Sequence, residues 1–429
     1  MTGSVLYKLA ERLYPICRSI TGNGVRETLD IIKEYVPTLQ INEIPTGTKV
    51  FDWTVPQEWN IHEAYIEDSL GRRVVDFKDN NLHVIGYSDA MDIYCSRETL
   101  LSYIYVQEEQ PNVIPYVTAY YTKKKGFCMS KRQRDHLKED FYHAVIKSEF
   151  IDGSMTYGEI VIKGISEKEI LLSTYICHPS MANDNLSGPC LCTFLAKWIE
   201  QMPDRKYTYR IIFVPETIGA IAFISKNLDR LKQNMIAGYV VTCVGDDRAW
   251  SYIPSRDGNT LADKAAKCAL HFAIQLYDSY TYLDRGSDER QYNSPGVDLP
   301  VCVVCRSKYG TYPEYHTSAD DLSLVSPNGF EQSYQLYQQM IMCIEKNVYY
   351  KAQCLCEPQL GKRGLYATIS QKEKFHDADD IINFLAYADG RHDLIEISEL
   401  INVSPHILWD IAKRLQEEGL IKIADTEVQ

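Results

Sequence analysis

His178, Asp184, Glu216 and His316 are the residues whose types and spacing can do chemistry. Asp184 lies in NDNLSG, six residues after His178 in YICHPSMANDNLSG, and His316 lies in YHTSADDL. The run LLSTYIC before His178 has the pattern of a buried strand, so His178 is expected where a parallel strand ends and a loop begins. Open α/β sheets build their sites at that edge. RIIFVPETIG sets Glu216 at the end of a second apolar strand. Two imidazoles, a carboxylate and a further glutamate at strand ends are the parts of a hydrolytic metal site.

The elements that must position these residues form three blocks. VLYKLAERLYPIC and GVRETLDIIKEYVP have helical periodicity, joined by a turn and N-cap at residues 19–22, and QINEIP is a short strand. Residues 47–139 change texture to aromatics, turns and short alternating runs, which suggests an inserted, mainly β domain. From about Asp140, FYHAVIKSEF, YGEIVIKG, EILLSTYIC, YTYRIIFVP, AGYVVTCVG and LPVCVVC read as strands. They alternate with helices such as CLCTFLAKWIEQM and ADKAAKCALHFAIQLYD, and NGFEQSYQLYQQMIMCIEKNVYY closes the block as a helix. This alternation predicts an α/β domain from residues 1–46 and 140–350, with a parallel or mixed sheet covered by helices. Residues 351–429 read as a linker followed by three helices and a strand, a winged helix-turn-helix.

The motifs around His178, Asp184 and His316 resemble those of the M28 zinc aminopeptidases, and GSDERQYNSPGVDLP (Gly286–Pro300) resembles that family's pocket-lining segment. These motifs span about residues 140 to 345. Over nearly the whole chain the sequence is more similar still to a bacterial aminopeptidase-like subfamily associated with polysaccharide biosynthesis. DWTVPQEW, CHPSMANDNLSG, PETIG, GSDERQY and YPEYHTSADD carry that likeness. The resemblance implies a phosphorylase/hydrolase-like zinc exopeptidase sheet sandwiched by helices. It implies metal ligands at His178, Asp184 and His316, and a substrate pocket near Asp288, Glu289 and Arg290.

The departures from the family are informative. Where the family has a Glu-Glu pair this chain has Glu216-Thr217, and the aspartate of the family's DMVG falls on Thr242. Each metal of the family's pair thereby loses a carboxylate. Three ligands and an open fourth position remain, the layout of a catalytic mononuclear zinc, so one zinc per chain is expected. On this register Glu216 is the general base; a slip of one residue would make it a ligand.

Other residues have two readings each. Glu314 can bind the metal or a substrate amine; Asp288 or Glu289 can hold an ammonium and Arg290 a carboxylate, or all three can form surface salt bridges. Asp320 or Asp321 can orient His316, or both can cap the helix that follows. Cys177 can be a soft ligand, but on a strand it should face away from its neighbour and into the core. Cys302 and Cys305 form a CxxC without a second pair and read as core thiols, and His62, His136 and His392 stand without partner spacing.

Composition sets the remaining bounds. The 13 cysteines are an odd number scattered through apolar runs, which favours free thiols in a reducing cytoplasm over a disulfide framework. The N-terminus carries charges through each candidate apolar stretch, unlike a signal peptide, and no run reaches the roughly 18 residues of a membrane span. A net charge of −13 argues against nucleic acid as the main partner. The winged-helix block is itself acidic, six Lys and Arg against twelve Asp and Glu from Gln371 to Asp425, which favours docking or dimerisation over DNA. The expected function is zinc-dependent hydrolysis of a peptide or amide bond, with a small peptide, an amide or a sugar-linked amide as the candidate substrates. The alternatives are a catalytically silent scaffold and a winged-helix regulator.

Overall fold

The computed structural model describes residues 2–365 and 372–424, with the backbone alone at 372–378. The chain forms two compact units, residues 1–258 with 277–335 and residues 259–276 with 336–429.

The first unit is built on an eight-stranded mixed sheet. Its strands in chain order are β1 (Gln40–Pro45), β2 (Ser154–Ile162), β3 (Glu169–Tyr175), β4 (Thr208–Val214), β5 (Met235–Val240), β6 (Ser251–Ile253), β7 (Asp278–Ser279) and β8 (Val301–Cys305). In space they run β1-β2-β4-β3-β5-β8-β6-β7. The central strands β4, β3, β5 and β8 are mutually parallel, and the antiparallel pairs β1–β2, β2–β4 and β8–β6 flank them. Every residue of β3 and β4 is buried, so both faces of the sheet are covered, as parallel strands require. From β3 the chain goes first to β4 on one side and later to β5 on the other. That reversal of direction opens a crevice at the carboxyl ends of the strands, where α/β sheets bind ligands.

Helices Thr2–Leu13 and Asn23–Tyr35 precede the sheet. Leu6, Leu9, Ala10 and Leu13 are buried at the spacing of one helical face. No residue of the 19–22 turn caps Asn23–Tyr35: Gly22 stands at its N-cap, Asn60 Oδ1 accepts the Asn23 N–H at 2.8 Å, and Thr21 Oγ1 pairs with the Tyr87 hydroxyl and accepts the Trp59 N–H.

The inserted block forms a four-stranded antiparallel sheet of its own, in the order Arg73–Asp76, Glu58–Asp68, Phe141–Ile151, Met91–Ser96. Its core holds Ala64, Ile66, Phe127, Tyr142, Ala144 and Ile146. Here the structure moves a boundary. FYHAVIKSEF reads as the start of the α/β domain, yet it pairs with Glu58–Asp68 along ten registered positions and is a central strand of the insert's sheet. Periodicity identifies a strand without saying which sheet it joins.

The second unit contains the winged helix. Helices Leu394–Ile401 and Pro405–Glu417 are joined by a turn in which Asn402 takes the left-handed conformation, and Pro405 occupies the first helical turn. Asp393 and Glu396 form a reciprocal capping box. The wing is a three-stranded sheet whose middle strand is Tyr349–Ala352, between Asp389–Asp393 and Ile421–Ile423. Helix Leu261–Ala273 and the first two residues of this strand fall in residues expected to belong to the α/β domain, yet they pack in the second unit. Leu408 and Leu415 are fully buried in this unit's own core, so they are not a docking face. Among the described residues no helix is long and apolar enough to cross a membrane.

Candidate metal centre

His178 lies three residues past the end of β3, Glu216 two past β4 and Thr242 two past β5, while His316 sits in the long loop after β8. The crevice thus receives a residue from each of the four parallel strands. The turn carrying Asp184 is fixed by the polar side chains of NDNLSG. Asn183 donates to Asp246 at 3.0 Å and accepts from the Gly245 N–H at 2.9 Å, and Asn185 reaches the Tyr175 carbonyl at 3.1 Å. Ser187 donates to the Asn183 carbonyl and accepts from the Val244 N–H. Gly188 is required by space: a Cβ there would stand 2.3 Å from the Val241 carbonyl and 2.4 Å from Thr174 Oγ1. The Asp184–Asn185 peptide is cis.

His178, Asp184 and His316 converge, each offering an atom within 4.8 Å of the others. Asp184 Oδ2 is 3.4 Å from His178 Nδ1 and 3.0 Å from His316 Nε2. Asp184 Oδ2 and His316 Nε2 are buried and neither makes a hydrogen bond, despite facing each other. Two inward-facing acceptors without donors are what a cation between them satisfies. Ligands around a tetrahedral zinc stand about 3.3 Å apart at ordinary bond lengths, so the three residues fit that ion. Burial works to raise the Asp184 pKa, but the two imidazoles outweigh it and hold the carboxyl far below the usual range. Burial conversely works to lower the His178 pKa, and Asp184, Cys177 and Glu216 hold it well above the ordinary histidine value.

The other carboxylate oxygen, Asp184 Oδ1, accepts a hydrogen bond from the Tyr175 hydroxyl, which also pairs with Thr242 Oγ1 at 2.7 Å. Tyr175 is the last residue of β3 and does not stand out in the sequence, because it completes an apolar strand. Its hydroxyl engages the carboxylate oxygen turned away from the two imidazoles, next to Thr242.

Aromatic rings enclose the imidazoles. Tyr315 stacks on His316 with centroids 3.9 Å apart. Tyr116, from the insert, stands edge-on to both His178 and His316, at 5.2 and 5.1 Å. The insert is held there by backbone pairing: the Tyr116 N–H donates to the His316 carbonyl at 2.9 Å, and Pro115 bridges to Thr317. An insert contribution to the site is foreshadowed by its aromatic content, but the individual ring is not.

Asp320 does not orient His316. Its two oxygens accept the N–H groups of Asn183 and Asp184 at 2.6 and 2.9 Å, so it holds the turn that bears Asp184. Burial raises its carboxyl to about 7. Asp321 accepts from the Ser323 N–H and hydroxyl.

Glu216 places Oε2 3.2 Å from His178 Nε2, the nitrogen turned away from Asp184, and Oε1 3.9 Å from Arg290. It lines a cavity of about 340 Å³ together with Arg290, Trp53, Tyr120, Tyr121 and Ile20. Cys177 has its sulfur near His178 and Glu216, where it accepts the Glu216 N–H at 3.3 Å, and burial pushes its thiol up to about 12.

The remaining candidates separate. Arg290 stands at the cavity wall. Asp288 is fully buried, accepts the Thr217 N–H at 2.7 Å, and is pushed well above the usual carboxylate range by burial and by Glu216. Glu289 is buried and accepts from Gly286, Ser287 and the Tyr309 hydroxyl, so it organises its loop. Glu314 is paired through both oxygens with Arg248 at 2.9 Å. Among the described residues the groups able to hold a metal are His178–Asp184–His316 and Cys177–His178–Glu216.

A mixed sheet with imidazoles and carboxylates gathered at the carboxyl ends of its parallel strands defines an aminopeptidase-like fold of the M28 type. Against solved structures, a zinc aminopeptidase from Bacillus subtilis shares that fold with a TM-score of 0.57 at 12% identity, over 80% of this chain and 94% of that one. A crystal structure from Clostridium acetobutylicum, of a protein provisionally named a peptidase, superposes with a TM-score of 0.93 at 43% identity, covering 99% of this chain and 97% of the other. The chain belongs to the family described as a domain of unknown function (DUF4910), matched over residues 7–347, and carries a winged helix-turn-helix over residues 347–423. A Clostridium acetobutylicum relative is 46% identical over 400 residues, 92% of this chain and 91% of its own length. It is named a polysaccharide biosynthesis protein with aminopeptidase-like domain.

Proposed function

We propose that this chain is a zinc-dependent hydrolase of a peptide or amide bond, with one zinc held by His178, Asp184 and His316. The observation that carries the reading is the pair of buried, unpartnered acceptors, Asp184 Oδ2 and His316 Nε2, facing one point beside His178. Zinc bound there would polarise a water and the scissile carbonyl. Glu216 lies between His178 and the cavity, where it can take a proton from water and return it to the departing amine. General-base help of this kind is worth about 10²–10⁴ in rate. The 3.2 Å contact of Glu216 Oε2 with Nε2 orients the His178 ring. Tyr116 and Tyr315 shield the imidazoles from water, which strengthens every charge interaction inside.

The engagement of Asp184 Oδ1 by Tyr175 supports one metal rather than two. The name of the Clostridium relative suggests the setting, so amides attached to sugars belong in the substrate panel beside short peptides. The test is to load the purified chain with zinc and assay that panel. Zinc-dependent turnover that Glu216→Gln abolishes while zinc stays bound is the expected result. Turnover insensitive to a chelator, or unaffected by Glu216→Gln, refutes the assignment.

A further inference from the structure

The cavity beside Glu216 has a charge pattern that a free amino terminus does not match. Holding an ammonium takes an ionised carboxylate with an oxygen free at the cavity wall. The nearby carboxylates do not present one: Asp288 accepts the Thr217 N–H and Glu289 bonds its own loop and Tyr309, while their other oxygens, Asp288 Oδ2 and Glu289 Oε2, have no partner but are buried and do not line the cavity, and Glu314 pairs with Arg248. Glu216 is the acid among the lining residues, and its two oxygens face His178 and Arg290.

Arg290 is the cation among those lining residues. Its Nη2 donates to Thr217 Oγ1 at 2.7 Å, which anchors the guanidinium beside the first turn of helix Ile218–Asn234. Glu216 Oε1, at 3.9 Å, lies beyond hydrogen-bond reach. Among the described residues the Arg290 guanidinium makes no other hydrogen bond, the side chain is 41% exposed, and the guanidinium carries five donors in a fork that matches a carboxylate. Ile20, Ile218, Trp53, Tyr120 and Tyr121 make most of the remaining wall apolar and aromatic, with Cys177, Thr217 and Gln291 beside them. About 340 Å³ is at the small end of ligand cavities, room for one residue-sized group rather than an extended chain.

We propose that Arg290 receives a carboxylate on the amine half of the substrate, so that the bond cut joins an acyl group to an amino acid whose own carboxylate is free. N-acyl amino acids and the carboxyl-terminal residue of a short peptide are the substrate class, with an apolar or aromatic side chain against Trp53 and the tyrosines. This rests on the hydrolase reading above and reverses the end of the substrate that an aminopeptidase recognises. In the reaction the acyl carbon–nitrogen bond breaks and a carbon–oxygen bond to water forms. Glu216 carries one water proton to the nitrogen as the bond breaks, the new carboxylic acid gives up the second to the departing amine, and the products are a carboxylate and a zwitterionic amino acid.

The test measures binding as well as turnover. Calorimetry on the full chain compares N-acetyl-L-phenylalanine with N-acetyl-L-phenylalaninamide and L-phenylalaninamide. The free acid is expected to bind at least about tenfold tighter than either amide, the scale of one charge-assisted contact. In Arg290→Gln that ratio should collapse to near unity, and Arg290→Lys should restore part of it. The proposal is overturned if the acid shows no binding in the millimolar range, if either amide binds as tightly as the acid, or if the preference survives Arg290→Gln. Zinc-dependent hydrolysis is scored separately: an Arg290-dependent preference without any turnover rejects the hydrolase reading and leaves the carboxylate site standing.

Discussion

Replacing Tyr175 with phenylalanine removes one hydroxyl and tests how Asp184 is prepared for a metal. That hydroxyl donates to Asp184 Oδ1 and pairs with Thr242 Oγ1 at 2.7 Å, and Asp184 is fully buried. A hydrogen bond to a buried carboxylate is worth about 1.5–3 kcal/mol. Part of that remains available to the variant, because Thr242 can turn towards the vacated space. Loss of a group that orients a metal ligand costs about 10–100-fold in metal affinity, or about 1.4–2.7 kcal/mol, and the two scales agree. Tyr175→Phe is therefore expected to bind one zinc per chain with affinity weakened by that factor and with its fold intact. The assay is competition with a chromophoric chelator at neutral pH, beside a thermal melt of the metal-free protein. Zinc affinity within about threefold of the parent chain refutes the reasoning, since a hydroxyl of no consequence to Asp184 would give that result. A second tightly bound zinc in the parent refutes it equally, because Oδ1 would then be free to bridge.

Elemental analysis should find one zinc per chain, His178→Ala and His316→Ala should lose it, and Glu216→Gln should keep it while losing about 10²–10⁴ of any turnover. Gly188→Ala forces a methyl against the Val241 carbonyl, so it should lower stability by about 3 kcal/mol and reduce bound metal, read by denaturant titration and metal analysis. Glu58 is drawn down to about 2, chiefly by its two 2.7 Å hydrogen bonds with Arg26. Its folded pKa lies below its unfolded one, so the stability it adds is complete above about pH 4.5 and is lost as pH falls towards 2. Parent and Glu58→Gln should differ by about 2–3 kcal/mol at neutral pH and converge in acid, and a gap that ignores pH refutes the pairing. The full chain should give no salt-sensitive micromolar binding to duplex DNA in an anisotropy titration at physiological salt.

The sequence discloses the site where chemistry and strand ends coincide. His178 and Glu216 are readable because each follows a mostly apolar, uncharged run with the pattern of a buried strand, and the structure sets both at the crevice. What stays hidden depends on contacts between distant residues. Tyr175 looks like core until the turn brings Asp184 back onto its hydroxyl. Asp320 invites pairing with His316 because it is four residues away, yet it serves a backbone 136 residues distant. Tyr116 reaches the imidazoles because Pro115 bridges to Thr317, a pairing that local patterning cannot express. The strand Phe141–Ile151 shows the same limit at the level of domains, since alternation does not name a strand's neighbours.

Helix Leu261–Ala273 has a consequence for how the chain is made. Its apolar side, including Leu261, Ala265, Ala266 and Ala269, is buried, and Lys264 meets Glu396 at 2.8 Å across 132 residues of sequence. On a ribosome extending at about 5–20 residues per second, this helix leaves the exit tunnel on the order of ten seconds before those partners exist. Through that interval a sticky segment in the middle of the nascent polypeptide is uncovered. A messenger cut short before the last helices would release a chain in which that segment is never covered, a ready substrate for chaperones and proteases. Ribosome-bound chains arrested after residue 350 and after residue 429 should differ in chaperone crosslinking at this helix.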